Sequence, residues 1–358
     1  MTTPKRPTAE PPTLRREAAP TIRDVARLAE VSIGTASKAL NANGRLSAET
    51  RSKVIRVAAE IGYRPNDLAQ SLHRSKSMTV GIISNDSFGR FTLPIVEALE
   101  QQLADEGIAI FMCNATDDPA RERQHIDQLL GKRIDGLVVT SRRADERSPV
   151  GPLPAGLPVI YVYSQPADHA ALSLVPDDEG GARLAIQHLI DGGRRHIAHI
   201  TGPERFEAVR LRHRGYANAL SEAGLKARAS DYLSGAWSEQ WGREAVAKLF
   251  DGKTQVPDGL FCGNDQIGRG AIDALRERGI AVPESVAVVG FDNWNIMTEA
   301  ARPPLSSVDM NLSALGREAG RMLIAMIDGE RAAGTRRLPC TLIVRESSHP
   351  VTRQPGQL

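Results

Sequence analysis

The sequence is poor in aromatic residues and in cysteine, and it lacks any long apolar run. Only 4% of the residues are aromatic, whereas 41% are hydrophobic, a balance typical of α/β proteins rich in Ala, Val, Ile and Leu. The three cysteines, Cys113, Cys262 and Cys340, are far apart and form no CxxC or Cys/His spacing, which excludes a disulfide framework and the usual zinc motifs. No segment approaches the roughly 20 apolar residues of a membrane span.

Signals for secretion and for catalysis are also missing. The first 20 residues are rich in proline and charge but contain no apolar stretch, so we expect a disordered tail and a cytoplasmic protein. The chain has no Walker loop, no GxSxG and no HExxH motif. His196 and His199 would lie on opposite faces of a strand, which disfavours a metal pair. We therefore expect no enzymatic activity, no metal and no cofactor.

Positive charge is concentrated at the N-terminal end. Residues 1–76 carry 14 Lys/Arg against 7 Asp/Glu, a net charge of +7, whereas the remaining residues carry 31 against 36, a net charge of −5. A basic segment on a mildly acidic body is typical of a domain that binds a polyanion such as nucleic acid.

Residues 21–62 predict three short helices. Ser32 and Ser47 are placed to cap the second and third helices, and Gly62 ends the third. The second helix, within "VSIGTASKALN", combines a glycine with serine, threonine and lysine, although these small residues are mediocre helix formers. Its non-apolar face is therefore small and rich in hydrogen-bonding groups, which indicates a surface that another molecule approaches closely.

From Met78 onward the pattern changes to strands that alternate with helices of 10–18 residues, which predicts parallel sheets. The strands suffice for two doubly wound sheets, with a ligand cleft between two lobes. We expect a tail (1–20), a head (21–64), a linker with a short helix (65–77), a core (78–348) and a C-terminal tail (349–358). Within the core, the first lobe is predicted from residues 78–162 and 294–323, and the second from 163–293 and 324–348.

An ordered set of phrases resembles the LacI/GalR family of bacterial transcription factors. They are "TIRDVARLAEVSIGTASKALN", "RLSAETRSKVIRVAAEIGYRPN", "LAQSL", "GARLAIQHLIDGGRRHIAHITGP", "RLRHRGY", "GLFCGNDQIGRGAIDALRERG" and "VPESVAVVGFDN". The resemblance covers nearly everything from residue 21 to about 348. It implies a three-helix helix-turn-helix head, a hinge helix and a two-lobed core like that of periplasmic binding proteins.

The resemblance assigns DNA-contacting roles. The base-reading positions are Ile33, Gly34 and Lys38, the phosphate-contacting positions are Thr21, Thr35, Ser37 and Asn41, and the minor-groove hinge positions are Ala69 and Leu72. A lysine can donate to guanine O6 and N7, and an isoleucine can contact a thymine methyl group. An inserted leucine unstacks a base step and kinks the duplex. The alternatives are a generic three-helix domain and a Leu72 that packs against its own domain.

The resemblance also places an effector site in the cleft. The residues it implies are Asn85, Phe91, Thr140, Tyr163, Arg212, Trp237, Asn264 and Asp292. Together they supply hydrogen-bonding groups and stacking rings, the chemistry of a carbohydrate site. Tyr163 stands where many sugar-binding members have Asp, and the additional aromatic residues favour a glycoside or oligosaccharide. The structural alternatives are a helix cap at Asn264 or Asp265, a turn for Asp292, core packing for Trp237 and an ion pair for Arg212.

The resulting prediction is a homodimeric, nucleoid-associated regulator, in the first instance a repressor, that binds a palindromic operator and responds to a carbohydrate effector. A corepressor-type or activating regulator with a non-sugar effector is the alternative. A carbohydrate carrier of the periplasmic type is more remote, because this sequence has a DNA-binding head and no signal peptide.

Overall fold

The computed structural model describes residues 20–41, 45–64, 76–87, 89–168 and 170–349. The chain divides into two compact units, and the division falls between Ser77 and Met78. Ala69 and Leu72, the predicted hinge positions, lie outside the described residues.

The first unit contains three helices around a small apolar core. Helix α1 spans Ile22–Leu28, α2 Ile33–Leu40 and α3 Ala48–Glu60. As predicted, the hydroxyls of Ser32 and Ser47 cap α2 and α3 by accepting from the backbone N–H three residues on. The core side chains are Val25, Ala26, Ala29, Ala36, Ala39, Val54, Val57 and Ala58. Ala36 and Ala39, the buried residues of α2, have small side chains that let the three short helices pack closely.

The first sheet of the second unit has six parallel strands in the order β13-β7-β5-β3-β1-β2. Their bounds are β1 Thr79–Ser84, β2 Ala109–Asn114, β3 Gly136–Thr140, β5 Val159–Val162, β7 Leu172–Pro176 and β13 Gly334–Leu338. Two-residue strands β4 (Glu146–Arg147) and β6 (Gln165–Pro166) pair beside it. The helices of this lobe are α4 (Thr92–Asp105), α5 (Pro119–Gly131) and α11 (Leu312–Ile327), and α11 packs on α4.

The second sheet has the order β14-β12-β11-β10-β8-β9. Its strands are β8 Ile197–Thr201, β9 Tyr232–Ser234, β10 Gly259–Cys262, β11 Ala287–Phe291, β12 Ser306–Asp309 and β14 Thr341–Ile343. Helices α6 (Asp178–Asp191), α7 (Glu207–Glu222), α8 (Glu239–Phe250), α9 (Asp265–Glu277) and the short α10 (Asn295–Thr298) belong to this lobe. All pairs are parallel except β12 with β14, which is antiparallel. The predicted architecture of two doubly wound sheets is thus present, with one antiparallel edge.

The chain passes between the lobes three times, and the predicted lobe boundaries are wrong at these crossings. Strands β7 and β13 pair in the first sheet, although the predicted boundaries placed them in the second lobe, and β12 pairs in the second sheet instead of the first. The sequence pattern identifies a strand but not its partner, because each pairing joins segments distant along the chain. The first lobe is therefore formed by 78–176 and 312–338, and the second by 178–309 and 341–348.

None of the helices in the described part of the chain is long and apolar enough to cross a membrane.

Candidate DNA-binding surface and effector cleft

Helix α2 presents the three predicted base-contacting residues on its solvent face. Ile33 is 50% exposed, and Gly34 and Lys38 are also exposed. Ala36 and Ala39, on the opposite face, are buried in the core of the head. The exposed face of α2 therefore carries an apolar, a small and a cationic residue within about one and a half helical turns.

The described part of the head does not require a glycine at position 34. Among the described residues, a Cβ atom added there would meet only Ser32 Oγ, at 3.8 Å, which is an ordinary van der Waals contact. Glycine nevertheless costs about 0.5–1 kcal/mol relative to alanine inside a helix. No packing contact with the described residues offsets this lost helix propensity, so the space above Gly34 is open to another molecule.

The predicted phosphate-contacting residues cluster at helix ends and already form local hydrogen bonds. The Thr35 and Ser32 hydroxyls lie 2.8 Å apart, and Asn41 Nδ2 donates to Ser37 Oγ at 3.3 Å. The Thr21 hydroxyl donates to the carboxylate of Asp24 at 2.7 Å and thereby lowers the pKa of Asp24. These local hydrogen bonds restrict the orientations of the side chains.

A cavity of about 830 Å³ lies between the two lobes of the second unit. Six of the eight predicted effector residues line it: Phe91, Tyr163, Arg212, Trp237, Asn264 and Asp292. Both lobes contribute, since Phe91 and Tyr163 belong to the first lobe and the others to the second. The loops that follow parallel strands meet here, as is usual for ligand sites in α/β folds.

Asn85 and Thr140 do not belong to the lining of this cavity. Thr140 is fully buried, and its hydroxyl lies 3.1 Å from that of Thr92 beneath the sheet edge. Asn85 accepts from the backbone N–H of Arg142 through its side-chain oxygen at 3.2 Å. Thr140 ends β3 and Asn85 directly follows β1, but a position at the end of a strand does not determine which way the side chain points.

Arg212 lies at the floor of the cavity, and its guanidinium is almost fully buried. Its Nε donates to Asp178 at 2.7 Å, Nη1 donates to the carbonyl of Gly263, and the group lies 3.6 Å above the ring of Phe291. Burial raises the pKa of Asp178, and the adjacent guanidinium opposes that effect. The ion pair that the sequence analysis gave as an alternative for Arg212 is therefore present, and Arg212 also lines the cavity.

Asp292 links the second lobe to the first across the cavity. Its carboxylate forms an ion pair with Arg90 of the first lobe and lies 3.7 Å from Arg212 Nη1. Asp292 has a φ of 102° and Asn293 a φ of 51°, conformations that are strained for residues other than glycine. This backbone directs the Asp292 side chain into the cavity and places Trp294 at its wall.

Two pairs of aromatic rings line the cavity. Phe91 and Tyr163 stack with centroids 5.1 Å apart, and burial raises the pKa of the Tyr163 hydroxyl. Phe206 and Trp237 stack with centroids 6.4 Å apart. Trp237 also packs on the core of the second lobe, so the structural and the ligand-facing roles coexist.

Asn264 likewise has two roles. Its side-chain oxygen caps α9 by accepting from the Ile267 N–H at 2.9 Å, while the residue lines the cavity. The sequence predicted a cap at Asn264 or Asp265. Burial raises the pKa of Asp265, whose carboxylate accepts from Ser307 and from the Trp294 N–H.

Sequence reasoning missed several lining residues. Arg90, Phe206, Gln266 and Trp294 all line the cavity. Each lies within six residues of a predicted position or follows a strand in a loop, so a wider window around the strand ends would have included them. Their inward orientation depends on tertiary packing.

The arginines that line the cavity are each neutralised by a carboxylate. The pairs are Arg90–Asp292, Arg142–Asp117 at 2.9 Å, Arg143–Asp145 at 3.2 Å and Arg212–Asp178 at 2.7 Å. The cavity therefore offers donors and acceptors without an excess of positive charge.

Two domain families match the chain. The family described as "Bacterial regulatory proteins, lacI family" matches residues 21–66, and the "Periplasmic binding protein-like domain" matches residues 186–348. The catabolite control protein A of Priestia megaterium is 32% identical over 311 residues, which are 87% of this chain and 93% of that protein. The chain belongs to the LacI family of bacterial regulatory proteins.

Further relatives and structures agree with this assignment. The transcriptional repressor CytR of Escherichia coli (strain K12) is 29% identical, covering 93% of this LacI-family chain and 98% of that protein. The lac repressor dimer bound to operator and the anti-inducer ONPF superposes with a TM-score of 0.73 at 26% identity, over 92% of this chain and 99% of that one. A complex of the regulator CelR with cellobiose has a TM-score of 0.62 at 32% identity, with coverage of 92% and 99%. The protein is a DNA-binding transcriptional regulator with an effector-binding core.

Proposed function

We propose that this LacI-family protein is a repressor that acts in the cytoplasm, binds a palindromic operator as a homodimer, and responds to a neutral saccharide held in the cleft between its lobes. The observation that carries the proposal is the presence in one chain of an exposed surface on α2 and of a charge-balanced cavity lined by two pairs of aromatic rings. Ile33, Gly34 and Lys38 read bases, and Thr21, Thr35, Ser37 and Asn41 contact phosphates. Ala69 and Leu72 remain predicted minor-groove contacts.

Gly34 offers a direct test of the DNA-binding surface. Gly34→Ala is expected to stabilise α2 by about 0.5–1 kcal/mol, because alanine is the better helix former and its Cβ has room. The same methyl group is expected to weaken operator binding, because it separates the helix from the groove. Slower hydrogen exchange of the α2 amides in the full chain would measure the first effect, and affinity for a duplex selected from a randomised pool would measure the second.

Gly131 supplies the matched control. It is an exposed glycine in the last turn of α5 of the second unit, and an added Cβ there meets nothing within 4 Å. Gly131→Ala should leave the affinity for the selected duplex unchanged. Unchanged operator affinity in Gly34→Ala as well would exclude close approach of DNA to α2.

The saccharide assignment depends on the pairing of charges in the cavity. Neutral hydroxyls can donate to the Asp292 carboxylate and accept from Arg212 and Asn264, and sugar rings stack on aromatic faces. The two separate ring pairs that line the cavity, Phe91 with Tyr163 and Phe206 with Trp237, favour a ligand of more than one ring. The relative whose structure contains cellobiose is consistent with such a ligand.

A thermal-shift screen tests the class of effector. Mono-, di- and oligosaccharides and sugar phosphates are added to the full-length protein, and a ligand that binds only the folded state raises the melting temperature with concentration. We expect neutral saccharides to raise it and their phosphorylated forms to do so less. Preferential stabilisation by the phosphates, or no response to any sugar, would refute the assignment.

Operator affinity in the presence of the stabilising sugar determines the sign of regulation. A ligand can shift operator binding only by its differential affinity for the two states of the regulator. We expect a loss of operator affinity, as for an inducer. An increase would instead identify a corepressor, the alternative that the shared architecture also permits.

The edge of the first sheet supports the homodimer. Strand β2 is the last strand of this sheet, and its Phe111 and Met112 are 48% and 41% exposed. Exposed edge strands with large apolar side chains are avoided in monomers, and a two-fold symmetric operator requires two heads. Phe111→Asp is expected to yield monomers in sedimentation experiments, whereas Leu184→Asp, at an exposed leucine of α6, should not. Dimers that persist in Phe111→Asp would place the interface elsewhere.

A further inference from the structure

Arg90 occupies part of the cavity that lies between the lobes. It belongs to the loop that joins β1 to α4, and it pairs with Asp292 of the second lobe, which lies 202 residues later in the sequence. The side chains of Arg90 and Asp292 are 18% and 7% exposed, so the pair is largely shielded from water. The Arg90 guanidinium also lies 4.2 Å from the centroid of the Trp294 ring and 4.7 Å from that of Phe91.

This geometry is that of a bound ligand. A planar group with several N–H donors stacks on aromatic rings and donates to a buried carboxylate, as a ligand of this site would do. We infer that Arg90 is a specificity-determining residue that occupies the Asp292 end of the effector site and must be displaced from Asp292 when the effector binds. This inference rests on the proposed function for the identity of the ligand but not for the occupancy of the site by Arg90.

Displacement has a consequence for selectivity. An effector gains the Asp292 carboxylate only by replacing the charged hydrogen bond that Arg90 makes, which is a stronger interaction than a single neutral hydroxyl provides. Ligands that present two adjacent donors and a stacking face to Trp294 therefore replace Arg90, whereas ligands with one donor do not. Arg90 sets both the affinity and the minimum donor pattern of the effector.

The occupancy itself is tested with methylguanidinium, a soluble copy of the Arg90 head group. In full-length Arg90→Ala, low millimolar methylguanidinium is expected to raise the melting temperature by about 1–3 °C in a saturable manner. The wild type and the double variant Arg90→Ala/Asp292→Asn should show no such rise. A rise in none of the three proteins, or an equal rise in all of them, would overturn the inference.

The displacement is tested with the saccharide that stabilises the wild type most in the thermal-shift screen. Its affinity for Arg90→Ala should increase by at least about tenfold, because the carboxylate is then available without competition. Arg90→Lys, which keeps the charge but loses the planar fork, should lie between the two. Weaker or unchanged binding in Arg90→Ala would show that Arg90 contacts the ligand or is irrelevant to it, and would overturn the inference.

Arg147 provides the control. It forms a two-bonded ion pair with Glu122 at 2.7 and 2.8 Å inside the first lobe, its side chain is 22% exposed, and it lies outside the cavity. Arg147→Ala should change neither the methylguanidinium response nor the saccharide affinity. If no sugar binds either the wild type or Arg90→Ala, the saccharide assignment fails, and the methylguanidinium result alone decides the role of Arg90.

Discussion

Replacing Arg212 by alanine is expected to destabilise the fold of the second unit, in addition to removing a ligand contact. The guanidinium is 3% exposed, and it is bonded to Asp178, which is itself 2% exposed, and lies 3.7 Å from Asp292. Its removal leaves the buried carboxylate of Asp178 without its cation, whereas Asp292 keeps its ion pair with Arg90. Breaking one side of a buried ion pair costs about 3–5 kcal/mol, so the melting temperature should fall by roughly 6–20 °C.

Arg214 tests whether burial is the cause. It lies two residues further along the same helix and pairs with Glu179, but its side chain is 57% exposed. Arg214→Ala should cost less than about 1 kcal/mol, because exposed ion pairs contribute little. Comparable small shifts for both variants in differential scanning calorimetry would refute the description of Arg212 as a buried, paired cation.

A second variant separates the electrostatic cost from the loss of packing. Asp178→Asn in the Arg212→Ala background removes the unpaired charge of Asp178 and should restore part of the lost stability. If the double variant is no more stable than Arg212→Ala, the loss comes from the vacated volume instead. The same reasoning means that a missing effector response in Arg212→Ala does not by itself demonstrate ligand contact, so Trp237 or Asn264 is the better position for that test.

Three further outcomes are expected. His199 is fully buried among aromatic rings and stacks with His213 at 5.8 Å, neither nitrogen of His199 has a partner within the described residues, and burial holds the pKa of His199 well below its usual value. Because the unfolded chain binds a proton at His199 and the folded chain does not, the free energy of unfolding should fall as the pH drops below about 6.5, by up to about 1.4 kcal/mol per pH unit. His199→Phe should reduce this dependence on pH in urea titrations. Lys38→Ala should relax base preference at one position of each half-site, measured by selection from random duplexes, and unchanged preference would exclude base readout. Leu72→Ala should weaken operator binding much more than non-specific binding, and equal losses would contradict insertion.

The sequence alone determined the local structure of the head and the alternation of the core. Hydroxyl caps at Ser32 and Ser47, apolar residues at helical spacing and the succession of strands and helices are properties of neighbouring residues, and each is present in the structure. The small, exposed face of α2 was also readable, because nothing in a helix explains Gly34.

Only the tertiary structure decided which sheet each late strand joins and which side chains meet in the cavity. β7, β12 and β13 have the same local pattern in either sheet, and their partners lie far along the chain. Thr140 ends β3 and Tyr163 follows β5, yet Thr140 is buried beneath the sheet edge and Tyr163 lines the cavity. The contact between Arg90 and Asp292 joins residues 202 positions apart. No periodic sequence pattern predicts it, because the contact forms only when both lobes have folded.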